Sequence, residues 1–162
     1  NYLLNLEERM IKNLIKKDNI QIIENNITQL DFFKMVGDLL EKDGYVTKDF
    51  SQQLSMRESS YPTGLRLGKC CVAIPHVEGQ YSKKSTIFIS LLKHTINWRN
   101  MEDIDEILPV SIVFNLVLTT QEKHITILQE LIKMIQNENL IEKINNADTA
   151  EQIYQIIEKE EI

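Results

Sequence analysis

Two stretches of this chain are apolar at nearly every position. Residues 86–92 run from Thr86 through Ile87, Phe88 and Ile89 to Leu92, and residues 110–118 run from Val110 through Ile112, Val113 and Phe114 to Leu118. A strand with one wet face alternates polar and apolar side chains, whereas a run without alternation needs apolar cover on both faces. These two segments therefore require a buried sheet sandwiched between helices, and the rest of the chain must supply those helices.

The flanking patterns do so. Thr28 with Asp31 opens a helix carrying Phe32, Met35 or Val36, and Leu39 on one face, with Asp43-Gly44 as its stop. Thr47 caps a second helix whose stripe is Phe50, Leu54 and Arg57, so an arginine continues an apolar face. Residues 59–68, with Tyr61-Pro62-Thr63-Gly64, read as turn and loop. The short strand Val72-Ala73-Ile74 follows and is ended by Pro75. A loop is expected over residues 97–105. Thr119 with Glu122 forms a capping box before a long helix marked by Leu128, Leu131 and Ile135. A short helix near residues 140–144 and a last one capped by Thr149 with Gln152, carrying Ile153, Ile156 and Ile157, close the chain. Toward the start, residues 5–17 suggest a first helix, with a strand at residues 2–6 as the alternative, and residues 20–23 suggest a strand. The expected architecture is one α/β domain over residues 1–162, a central mixed sheet with helices on both faces, residues 1–18 being an extension or first helix.

Composition narrows the partners. A length of 162 residues suits one core. A formal charge of −6, with no basic cluster beyond Lys16-Lys17 or Lys83-Lys84, disfavours nucleic acid and anionic membrane. No run approaches the roughly 20 apolar residues of a membrane span, and Glu7 and Glu8 stand where a secretory signal carries positive charge. A cytoplasmic protein is expected. Adjacent Cys70 and Cys71 make no disulfide framework, and on a strand they point to opposite faces, so with His76 they lack the paired spacing of a zinc site. No metal and no cofactor is expected. Gly64 to Cys70 imitates a Walker A loop but is one residue short and lacks the Ser or Thr that holds magnesium.

Three residues stand out for chemistry. His76 follows a buried strand across a rigid proline, at the end of a sheet where α/β proteins place their sites. His124 lies near a helix N-terminus, where the dipole favours an anion such as phosphate. Arg57 at a helix end has either a snorkelling role or that of a guanidinium gripping an oxyanion. His94 has no such context and reads as surface, as do Glu58 and Glu78, which nothing pairs.

Arg57-Glu58, then Tyr61-Pro62-Thr63-Gly64-Leu65, then Val72-Ala73-Ile74-Pro75-His76, and downstream His124 with Ile127-Leu128 and Leu131, resemble the type-2 enzyme IIA domains of the bacterial phosphoenolpyruvate:sugar phosphotransferase system (PTS). Gly44-Tyr45-Val46 and the loop from Trp98 to Met101 fit its galactitol-type branch better than the fructose or mannitol branches. The resemblance implies a phosphotransferase and phosphocarrier. In it His76 accepts a phosphoryl group from phospho-HPr as a tele-phosphohistidine and passes it to a cysteine of the cognate IIB, and through it serves the membrane IIC. His124 and Arg57 map onto the second active-site histidine and the active-site arginine. Val77 and Glu78 depart from the small residue that fructose- and mannitol-type members favour after the histidine. The alternative is a IIA-like regulatory domain of a PTS-controlled transcriptional regulator.

Overall fold

The computed structural model describes residues 11–160. Its five strands, β1 (Ile15–Ile23), β2 (Gly64–Leu67), β3 (Cys70–Ala73), β4 (Thr86–Arg99) and β5 (Ile107–Val117), form a mixed sheet in the order β1-β4-β5-β3-β2. β1 runs parallel to β4 and β3 parallel to β5, while the β4–β5 and β2–β3 pairs are antiparallel. The helices are α1 (Gln29–Lys42), α2 (Phe50–Ser60), α3 (His124–Ile135), α4 (Glu138–Asn145) and α5 (Ala150–Lys159).

Both faces of the sheet are covered, as the two uniform apolar runs require. Alternate residues of β3 serve different cores: Cys70 and Val72 pack with Ile127, Leu131, Ile144 and Ile153 of α3, α4 and α5, whereas Cys71 and Ala73 pack with Phe32, Phe33, Phe50 and Leu54 of α1 and α2. A residue inserted into the pairing of β5 preserves this arrangement. Val110 pairs with Cys71 and Ile112 with Val72, so Ser111 is extra; beyond it the inward phase of β5 shifts by one. Its hydroxyl donates to Asn145 Oδ1 of α4 at 2.7 Å.

Several boundaries differ from the sequence expectations. The helix expected over residues 5–17 falls partly outside the described residues. Residues 11–14 are helical, but Ile15 already pairs with Ile87, and its buried side chain joins the sheet's core. Residues 64–67, expected as loop, form β2, which binds β3 through its backbone across a two-residue turn. β4 continues through Asn97 and Trp98 to Arg99, where a loop was expected, because Trp98 is the buried anchor against which Phe32 and Phe33 pack edge-on, with ring centroids 6.2 and 5.4 Å away. Those two phenylalanines also set the phase of α1: Leu40 is buried and Leu39, expected inside, is 39% exposed. Gly44 at φ +79° ends that helix as its position predicts. Thr28 and Thr149 accept from backbone N–H groups as caps, but Thr47 and Thr119 do not act through their side chains: α2 begins after Asp49 and α3 after Lys123. Cys70 and Cys71 are free and buried.

Candidate functional site

β3 and β5 are adjacent and parallel, so the chain leaves both at the same end of the sheet, the end at which open α/β folds gather functional loops. After β3, the Ile74 N–H donates to Thr63 O at 3.2 Å and the Leu116 N–H donates to Pro75 O at 3.0 Å, which ties the exit to β2 and β5. His76 comes next. Its Nδ1 is 2.7 Å from Ile74 O, and since a carbonyl only accepts, Nδ1 carries the hydrogen. In the neutral ring Nε2 then holds the free lone pair. Burial pushes the imidazole pKa below its ordinary value; the charges of Arg57 and His124 act in the same direction, against the Ile74 bond and Glu78. A neutral, tautomerically fixed ring is the form that can act as a nucleophile.

β5 releases the chain at Thr119, whose carbonyl accepts from the Glu122 N–H at 3.1 Å and from His124 Nε2 at 2.8 Å. His124 is the first residue of α3. Its Nδ1 is left as an acceptor when the ring is neutral and a donor when it is charged. The two exit loops lie against each other at Gly79, where a Cβ would sit 2.7 Å from Thr120 N. Only glycine allows that backbone approach.

Arg57, in the last turn of α2, completes the cluster from the opposite helical layer. Its guanidinium lies over the Tyr61 ring, 4.4 Å from the centroid, and Nη1 is 3.4 Å from Glu78 Oε1. Arg57, His76, Glu78 and His124 line one cleft of about 220 Å³, with Val77, Leu116, Leu118, Ile125 and Leu128 as its apolar wall. The three residues singled out from the sequence thus converge. His94 is exposed on β4, away from this cleft.

Two residues escaped the sequence reading. Glu58, expected on the surface, is only 4% exposed. It accepts from the Thr63 N–H at 2.8 Å, the Thr63 hydroxyl and Trp98 Nε1, yet burial still pushes its carboxyl pKa up against those bonds. The spacing held a signal: Phe50, Leu54 and Glu58 form an unbroken i, i+4 series, so the buried stripe of α2 continues through Glu58, with Arg57 at its margin. Gly79 had none, because nothing in the sequence brings residues 79 and 120 together. Glu78 also differs from expectation, since it has a partner in Arg57.

Among the described residues no group of three His, Cys, Asp or Glu side chains is arranged to hold a metal, and no helix is long and apolar enough to cross a membrane. The deciding comparison is with protein families: residues 13–160 match the family described as phosphoenolpyruvate-dependent sugar phosphotransferase system, EIIA 2.

The chain belongs to the EIIA 2 family. Members are phosphotransferase components of that sugar system, and the galactitol-type likeness holds in sequence. The PTS system galactitol-specific EIIA component of Escherichia coli strain K12 is 24% identical over 132 residues, covering 82% of this chain and 85% of that one. In structure, this EIIA 2 chain is similar to nitrogen regulatory protein IIA-Ntr from Neisseria meningitidis, with a TM-score of 0.74 at 22% identity over 91% of this chain and 99% of the other. It is also similar to the mannitol IIA enzyme of Escherichia coli in complex with phosphorylated mannitol IIB, with a TM-score of 0.73 at 19% identity over 90% and 98% of the two chains. The mixed sheet with helices on both faces is the fold of those mannitol-type EIIA 2 structures.

Proposed function

We propose that this EIIA 2 chain is a sugar-specific phosphocarrier of the galactitol type, in which His76 takes a phosphoryl group on Nε2 from phospho-HPr and passes it to a cysteine of a cognate IIB during polyol uptake. The observation that carries this is the convergence of His76, His124 and Arg57 on one cleft, with Nδ1 of His76 bound to the Ile74 carbonyl and Nε2 left as the attacking nitrogen. The galactitol label of one relative supports the branch, and the mannitol complex supports IIB as acceptor.

Phosphoryl transfer passes through a loose transition state whose charge spreads over three equatorial oxygens, so alignment and donors matter more than a strong base. The Nε2 lone pair of His76 attacks phosphorus as the donor's N–P bond breaks, and a cysteine sulfur later takes the group in the same in-line manner. Arg57 offers parallel donors to the oxygens. His124 adds one more through Nδ1 when its ring is charged. The apolar wall around Leu118 and Leu128 limits competing water.

Incubation with phosphoenolpyruvate, enzyme I and HPr tests the reading. The wild-type chain should acquire acid-labile phosphate and His76→Ala none; undiminished label on the variant overturns the assignment. His124→Ala should accept phosphate but pass it to IIB slowly, and transfer at the wild-type rate removes His124 from the mechanism.

A further inference from the structure

The loop leaving His76 carries a carboxylate into the cleft that the proposed transfer leaves unused. Glu78 stands two residues after the histidine, and its Oε1 is 3.4 Å from Arg57 Nη1. Among the described residues it is the one carboxylate within ion-pair range of Arg57. Its place is set by the backbone. Glu78 precedes the 3-10 turn Gly79–Tyr81, and Gly79 is pressed against Thr119 and Thr120, so the loop has no room to retreat toward β5. On the other side of the guanidinium lies the Tyr61 ring. Arg57 is therefore held between an aromatic face and an anion, while both charged side chains keep enough exposure to separate.

We propose that Glu78 competes with the phosphoryl group for Arg57 and thereby raises the phosphoryl-transfer potential of the protein. This rests on the reading that His76 is the acceptor. While His76 is unmodified, Glu78 occupies the guanidinium. When the group arrives, the donor's N–P bond breaks, the Nε2–P bond forms and the donor imidazole leaves with its electron pair. Two anionic groups then face one arginine. The carboxylate loses its partner and repels the newcomer, so the phosphorylated form is held less tightly and gives its phosphate up more readily. No further reactant enters, and the exchange equilibrium with HPr depends only on how well each protein holds the same group.

That equilibrium constant is the measurement, read by 31P NMR from mixtures of phospho-HPr and this chain. Glu78→Gln removes the charge and keeps the shape. It should move the constant toward the phosphorylated chain by about three- to tenfold, the range for a partly screened charge pair together with its repulsion. The shift should shrink at high salt, and Glu78→Asp should stay near wild type. A constant unmoved by Glu78→Gln, or one moved toward phospho-HPr, overturns the proposal. So does an equal fall in forward and reverse rates with the constant unchanged, the mark of a docking role. Wild-type chain that takes no phosphate on His76 overturns the underlying reading as well, so the two failures are distinct.

Discussion

Arg57 and Glu58 are neighbours in the chain, carry opposite charges and meet opposite fates. One helical step of about 100° separates a guanidinium at the edge of the cleft from a carboxylate inside the protein. Glu58 joins three elements at once: α2, which carries it; the turn at Thr63, which precedes β2; and Trp98 of β4. Glu58→Ala strands the Thr63 N–H and the indole N–H without an acceptor, at about 1–3 kcal/mol for each buried orphan. Glu58→Gln keeps an acceptor for both and relieves the cost of burying charge. We expect urea unfolding, followed by the fluorescence of the single tryptophan, to show the alanine variant less stable by about 3 kcal/mol and the glutamine variant within about 1 kcal/mol of wild type. Equal loss in both would show that the negative charge itself is required.

At the scale of elements, the segments with strong local signals were legible and those defined by their neighbours were not. Periodicity located α1 from Phe32 and Val36, α3 from Leu131 and Ile135, and α5 from Ile153 and Ile157, because an amphipathic stripe is written in the residues that form it. β2 was missed because the turn signal Tyr61-Pro62-Thr63-Gly64 runs straight into it and the three residues after Gly64 are too few to show a period, so the segment is defined as a strand by the ladder that β3 offers. Thr119 had the spacing of a capping box but serves through its carbonyl, since the helix starts later, with Lys123 at the cap position, and the Thr119 carbonyl accepts from the Glu122 N–H and the His124 ring. Of the candidate site, His76, His124 and Arg57, which line one cleft, could be singled out from their order along the chain; Gly79, which lies against residue 120, could not. Gly79→Ala forces a Cβ to within 2.7 Å of Thr120 N and should part the two exit loops. Overpacking of this kind costs roughly 1–3 kcal/mol, and phosphoryl acceptance should fall more steeply than stability. A variant with wild-type acceptance would show that the loops act independently.

Across the whole molecule, the candidate site joins both helical layers, with Arg57 from one, His124 from the other and His76 at the sheet between them. Its ionisation is therefore coupled to global folding. Burial holds the His76 pKa below 6.5, so between the folded value and 6.5 the unfolded chain binds the extra proton and stability is lost as pH falls. Glu58 has the opposite sign: its carboxyl sits above 4.5, the folded chain binds more protons there, and stability rises as pH falls through that window. Between about pH 7.5 and about pH 5.5, the unfolding free energy of wild type should decline relative to that of His76→Asn, as measured in parallel denaturant titrations. A constant difference between the two would mean that His76 titrates alike in folded and unfolded chains.

The hydrogen bonds that tie each histidine ring to the backbone have a mechanical consequence. Nδ1 of His76 is anchored to the carbonyl of Ile74, just past the end of β3, and Nε2 of His124 to that of Thr119, just past the end of β5. The spacing of the two imidazoles is thus gauged by two strands bonded edge to edge, about 4.8 Å apart, a length that the sheet holds stiffly. Arg57 hangs instead from α2, whose contacts with that sheet run through side chains such as Leu54 and Glu58, so a shift of α2 would change the grip of the arginine without changing the separation of the histidines.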